Sequence, residues 1–241
     1  MGSAIGSPKH VVCKRIKPPP PTADAACIAI DTRSQDRFLC KDQSKDSWLP
    51  LVEWLAQYLA RRCGLVIPDC YLIELEASPG QYMFGSRWEG GAEQFALGMA
   101  AKVTNPEHFS AIHAFDLLIH NVDRHLNNYL YLQLAGDTVV KAVDHSRCLS
   151  FSGWPLPPPP PPLNCNTMMA KAIWEAEAAW DSAASQSVID AWRQIPVSDV
   201  QAVFDEVPSD WVDLVWKNDF LAWWGSPAWS DRVTQVIGAL P

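Results

Sequence analysis

The stretch Asn121-Val122-Asp123-Arg124-His125-Leu126-Asn127-Asn128 decides the reading of this chain, together with Ala142-Val143-Asp144-His145-Ser146 beyond it. Asp123 is answered at the fifth position by Asn128, and a short hairpin then leads to Asp144. Phosphoryl transfer asks for such groups in that order. One carboxylate orients an attacking hydroxyl, and an amide oxygen and a second carboxylate hold a divalent cation against nucleotide phosphates. A surface turn with Asx-type hydrogen bonds would explain any one of these residues. It explains the set poorly, because the apolar flanks at 114–119 and 129–132 hold the polar loop at the edge of a core.

The loop resembles that of the HipA-like kinases and, more distantly, that of the phosphoinositide kinases, which carry a similar Asp-Arg-His-x-x-Asn. Ordinary protein kinases read His-Arg-Asp, with the Asp last. The similarity runs from about Cys27 to the C-terminus and is most specific at 121–128. It implies an α+β, two-lobed protein-kinase-like fold, with a small β-rich N-lobe carrying one helix and a larger, mostly helical C-lobe. It further implies that Asp123 is the catalytic aspartate, that Asn128 and Asp144 bind Mg²⁺, and that ATP is the phosphoryl donor.

Composition bounds the alternatives. The 241 residues are enough for one large domain or two lobes around a cleft. A formal net charge of -8 provides no basic field, so nonspecific nucleic-acid binding is not expected. Seven scattered cysteines, odd in number and without a Cys-x-x-Cys pair, favour free thiols in a reducing compartment over a disulfide framework or a zinc cluster. The N-terminus shows no apolar signal core, and Gly6 stands where a myristoylation motif wants Ser or Thr. No stretch approaches the length of a membrane span, so the expected location is the cytoplasm.

Three domains of organisation are expected: a flexible N-terminus at 1–9, an N-lobe at 10–89 and a C-lobe at 90–241. The N-lobe reads as strands at 10–17, 27–31 and 37–43, then a helix at 47–63 with Ser47 as its N-cap and Gly64 as its stop. Strand character returns within 65–75 and at 82–88. Gly90-Gly91 is the candidate hinge. Helices are expected at 92–103 and 108–120, and a hairpin at 129–134 and 139–143 turning around Gly136-Asp137. Six consecutive prolines at 157–162 form a rigid spacer or a ligand for an aromatic groove on a partner, the spacer being the simpler reading. From Met168 onward, helices rich in Trp mix with Ala, Val, Leu and Ile, a pattern of core packing more than of a binding platform.

On the nucleotide side, Lys41 alternates with Leu39 and Arg37 on one strand face, and Glu53 is the only acid inside the helix that follows. The resemblance implies that these are the family's phosphate-binding lysine and its helix glutamate, meeting as an ion pair. Neither a Gly-rich phosphate loop nor a Walker motif appears. Pro18-Pro19-Pro20-Pro21-Thr22 stands there instead, leaving Thr22, nearby backbone and Lys41 for the phosphates. Arg124 is suited to phosphate neutralisation or to an ion pair supporting the loop, and His125 to packing. The expected function is transfer of the γ-phosphoryl group of ATP to a hydroxyl, that of a protein Ser or Thr, with no membrane or nucleic-acid partner. The alternatives are a lipid or small-molecule kinase and a catalytically silent kinase fold acting as a binding module.

Overall fold

The computed structural model describes residues 9–18, 24–93 and 98–241. Five strands, β1 (His10–Lys17), β2 (Cys27–Asp31), β3 (Arg37–Lys41), β4 (Cys70–Leu75) and β5 (Tyr82–Arg87), make a closed barrel in the order β1-β2-β3-β5-β4. All neighbours are antiparallel except β1 and β4, whose parallel pairing closes the ring. A five-strand ring has a narrow interior, and small side chains line it: Cys13, Cys27, Ala29 and Cys40, with Phe38 and Ile73 between them. At Gly85 a Cβ would lie 2.3 Å from Ile73 Cγ1, so glycine is what lets β5 approach β4.

Helix α1 (Leu49–Arg62) follows β3 and lies in the main core, buried from Leu49 to Gln57 without interruption. It starts one residue later than the sequence suggests. Ser47 is not its N-cap: the capping position is Trp48, whose amide donates to Asp46 Oδ1 at 3.0 Å, and whose ring packs edge-on against Trp216 at 5.3 Å. Pro50 occupies the first turn, where a missing N–H costs nothing.

The expected helix at 92–103 is absent from its described residues. Glu93 instead forms a bridge with Tyr131, and only a single 3-10 turn, Ala100–Lys102, follows. Helix α2 (Glu107–Leu118) is buried on every side from His108 to Leu118 and forms the axis of the helical region. The hairpin β6 (Tyr129–Leu134) and β7 (Asp137–Ala142) turns at Ala135-Gly136, one residue before the expected place, with φ of +53° and +100°. Positive φ at both central residues is the turn geometry that matches strand twist.

Beyond the prolines come α3 (Asn166–Trp174), α4 (Ser182–Arg193), α5 (Val197–Glu206), α6 (Leu214–Trp223) and α7 (Pro227–Ala239). Trp174, Trp192, Trp211, Trp216, Trp224 and Trp229 are buried, which bears out the packing reading of this Trp-rich region. The proline run is fastened to the body by the Arg232 guanidinium, which donates to Pro157 O at 2.6 Å. All seven cysteines are free. Among the described residues no helix is long and apolar enough to cross a membrane.

Candidate active site

The Asn121–Asn128 loop begins where α2 ends. His120 adopts the left-handed conformation at φ +52°, and the amides of His120 and Asn121 donate back to Leu117 O at 3.3 Å and Asp116 O at 2.8 Å. This is a Schellman-type stop made without glycine. Arg232 adds Nη2 to Leu117 O at 2.7 Å and Nε to Leu118 O at 2.8 Å, a cation on the negative end of the helix. The last turn of α2 is therefore rigid, and the loop leaves it in a defined direction.

Arg124 settles the two readings open for it: it is a strut, fully buried, and not a surface cation. Its guanidinium grips Asp116 of α2 through Nε and Nη2, each at 3.0 Å, and donates through Nη1 to Asn128 O and Val143 O. One side chain thus ties α2, the loop and the residue before Asp144 together. Asp116 is the acid inside an apolar helical run, a signal of a buried charge that sequence reasoning passed over. Leaving either partner alone in that interior would cost several kcal/mol, on the order of 3–5.

Asn128 Nδ2 donates to Asp123 O at 2.9 Å. That bond uses the donor end of the amide and leaves its oxygen for another ligand. Asp144 follows β7 in the left-handed region at φ +59°. Its Oδ1 accepts from Ser146 N at 3.2 Å, Ser146 Oγ at 2.7 Å and Lys41 Nζ at 2.8 Å. Lys41 Nζ lies 2.5 Å from Glu53 Oε1, so the expected ion pair of strand and helix is present, and the same ammonium also bridges to Asp144. Glu53 in turn accepts from His145 N at 3.1 Å.

These three charges meet at one spot, Lys41 and Glu53 buried and Asp144 partly exposed, and one cation faces two acids. Burial alone would neutralise the Lys41 ammonium and the Asp144 carboxylate, but their mutual attraction overrides it, raising Lys41 and lowering Asp144. Glu53 is then the surplus acid, pushed up to about 7 by burial, with the Asp144 charge adding to the shift. In the sequence Asp144-His145-Ser146, His145 takes the place of Phe in the Asp-Phe-Gly of protein kinases. Burial and the nearby Arg124 charge drive its pKa far down, and the neutral ring packs edge-on to Phe115 at 5.8 Å.

Lys41, Glu53, Asn128 and Asp144 line one cavity of about 310 Å³. Its apolar walls come from both regions: Leu39, Phe84 and Trp88 on the barrel side, Leu130 and Val143 on the hairpin. The size suits a small molecule. Asp123 stands on the same loop as Asn128, half-buried, and receives Asn166 Nδ2 on its Oδ1 at 2.5 Å. Next to it Thr167 Oγ1 donates to Asn121 O at 2.7 Å and accepts from Arg124 N at 3.0 Å. Asn166 and Thr167 were not foreseen from sequence. A polar pair opening a helix after the proline run is the one signal that marks them. Thr22 lies outside the described residues.

A family model described as HipA-like kinase matches residues 27–219, well over half of the chain. The chain belongs to the HipA-like kinase family. This kinase family and its phosphotransferase class agree with the resemblance read at 121–128, and the match begins at the same Cys27. Among solved structures, the Helicobacter pylori proinflammatory kinase CtkA superposes with a TM-score of 0.60 at 12% identity, covering 95% of this chain and 99% of that one. At that identity the likeness shows a shared fold, that of a kinase. HipA of Shewanella oneidensis MR-1, solved with HipB and operator DNA, gives a TM-score of 0.49 at 12% identity over 85% of this chain and 57% of that one. A Golgi casein kinase solved with Mn/ADP bound gives 0.46 at 13% identity, covering 97% and 73%. No curated protein matches the sequence.

Proposed function

We propose that this HipA-like kinase transfers the γ-phosphoryl group of ATP to the hydroxyl of a protein Ser or Thr. The observation that carries the reading is the Lys41 ammonium held between Glu53 and Asp144 at the polar end of a cavity that Asn128 also lines. Lys41 is there to meet nucleotide phosphates, and Glu53 holds it from behind. Asn128, through its amide oxygen, and Asp144 are a hard-oxygen donor pair that would hold Mg²⁺, which neutralises phosphate charge when bound. Asp123 orients the acceptor hydroxyl and accepts its proton. In the two-lobed arrangement we infer, residues 10–89 form the small lobe and 90–241 the large one, with Gly90-Gly91 as hinge; Gly91, at φ +78°, is suited to a chain reversal. The free cysteines support a cytoplasmic setting, and the contact of Arg232 with Pro157 supports a structural spacer over partner recruitment for the prolines.

One observation favours a second reading, a silent kinase fold that binds without transfer. Pro18-Pro19-Pro20-Pro21-Thr22 stands in place of a Gly-rich phosphate loop, and without the close backbone cradle that glycines provide the phosphates are left to Thr22, the backbone near it, Lys41 and the metal. Radiolabelled ATP, first for autophosphorylation and then with a cell extract, separates the two. Wild type is expected to label protein and Asp123→Asn to lose roughly two or more orders of magnitude of turnover while keeping MgATP affinity. Equal labelling by both would remove Asp123 from the mechanism. No labelling by a wild type that binds MgATP would leave the silent fold.

A further inference from the structure

Among the polar side chains that line the cavity, one is buried with an atom left without a partner. Gln57 lies on α1 one turn beyond Glu53, is 1% exposed, and lines the cavity, yet its Oε1 has no hydrogen-bond partner among the described residues. The polar side chains beside it have their parts assigned: Lys41 is held by Glu53 and Asp144, and Asn128 donates to Asp123 O with its oxygen kept for the metal. A buried amide left unpaired costs about 1–3 kcal/mol, and Leu or Met would fill the same helical position without that loss. A ligand group that completes the hydrogen bond offsets the cost.

The arrangement of the cavity says which part of a ligand that is. Its charged floor, with Lys41, Asn128 and Asp144, takes phosphates and metal. Leu39, Phe84, Leu130 and Val143 offer flat apolar contact suited to a planar ring. Ser86, small and on β5, borders the same space as Gln57.

We propose that Gln57 reads the nucleotide base, its Oε1 accepting a hydrogen bond from the exocyclic amino group of adenine. The proposal rests on the nucleotide reading of the site and adds base selectivity to it. A purine without that amino group leaves the amide unpaired and binds less tightly. Failing to satisfy one buried acceptor corresponds to about a tenfold loss.

The test is calorimetric titration of wild type and Gln57→Met with MgATP and with the Mg²⁺ complex of purine riboside triphosphate, which lacks the 6-amino group. Wild type is expected to favour ATP about tenfold. Gln57→Met is expected to lose that preference by weakening ATP alone, and its ligand-free thermal midpoint is expected to rise because the unpaired amide is gone. A wild type that binds both nucleotides equally overturns the proposal without any variant, and so does a Gln57→Met protein with an unchanged ratio; in both cases the nucleotide site itself stands. A wild type that binds neither nucleotide overturns the nucleotide reading and this proposal with it.

Discussion

Asp144 occupies a conformation that non-glycine residues adopt sparingly, at φ +59°, and three donors converge on its Oδ1. Such a backbone persists only where its surroundings over-determine it, and it marks a place where carboxylate direction matters more than local comfort. Asp144→Ala is expected to abolish Mg²⁺-dependent nucleotide binding, since it removes a charged oxygen ligand from a cation that demands near-octahedral oxygen coordination. Asn128→Ala, which removes a neutral ligand, is expected to weaken binding in the same direction but less. Calorimetry of MgATP binding to folded protein checks both, and an unchanged affinity in Asp144→Ala would refute the assignment. The ion pair of Lys41 and Glu53 was expected from the family resemblance, which a strand lysine followed by a helix with a single acid carries. That Lys41 also reaches Asp144, across 103 residues of chain, was not.

At the scale of elements, the proline run and α3 work as one arm. Arg232 pins the run at Pro157, and Cys165 N donates to Pro162 O at 2.9 Å, so α3 starts from a fixed point. Its first residues are Asn166, against the Asp123 carboxylate, and Thr167, against Asn121 O and the Arg124 amide. Asn166 therefore holds one oxygen of Asp123 and sets the direction of the other. Asn166→Ala is expected to lower turnover by about tenfold or more with MgATP affinity unchanged, because a positioned proton acceptor has lost its orienter. Asn166→Ser, which keeps a donor, is expected to recover part of the loss. A single-turnover assay beside nucleotide titration decides this. A variant that turns over as wild type does would reduce Asn166 to a structural residue. The same scale explains why no helix forms in the described residues of 92–103: Ala and Leu suit a helix locally, but the backbone of Glu93 exchanges hydrogen bonds with Tyr131 at 2.8 and 3.1 Å and holds the described start of the segment extended, while residues 94–97 lie outside the described residues.

Over the whole molecule, buried titratable groups pull stability in opposite directions with pH. Glu53, ordinarily near 4.5 and pushed up to about 7 by burial, keeps a proton in the folded state that the unfolded chain has released. Its contribution is full below about pH 4.5 and is lost as pH rises through 7. His113 and His120, pushed down by burial from 6.5 to about 3 and about 4, act the other way: their contribution is present above pH 6.5 and is lost as pH falls through those values. The Glu53 part is isolated by subtraction. The urea-unfolding free energy of wild type minus that of Glu53→Gln is expected to decline from pH 4.5 to 7. The slope is bounded at about 1.4 kcal/mol per pH unit, the free energy of one proton held by the folded chain and released by the unfolded one. A difference that does not vary with pH would show that Glu53 does not titrate in this range.

The sequence by itself determined what is local. Asp123 and Asn128 sit close together on one loop, the apolar flanks hold that loop against a core, and a hairpin delivers Asp144; each depends on neighbours a few residues away, and each was legible. The strands, α1, α2 and the helical character of the chain beyond Met168 were legible for the same reason, since side-chain periodicity and Gly or Pro stops act over a single turn or pleat; the bounds of α3 to α7 were not. Tertiary structure alone decided the parallel closure of the barrel by β1 and β4, the Arg124 strut to Asp116, the seat of Asn166 on Asp123 and the unpaired amide of Gln57. Those features are contacts between segments far apart in the chain. Their energy exists only once both partners are desolvated together, and no local pattern records which distant group will be on the other side.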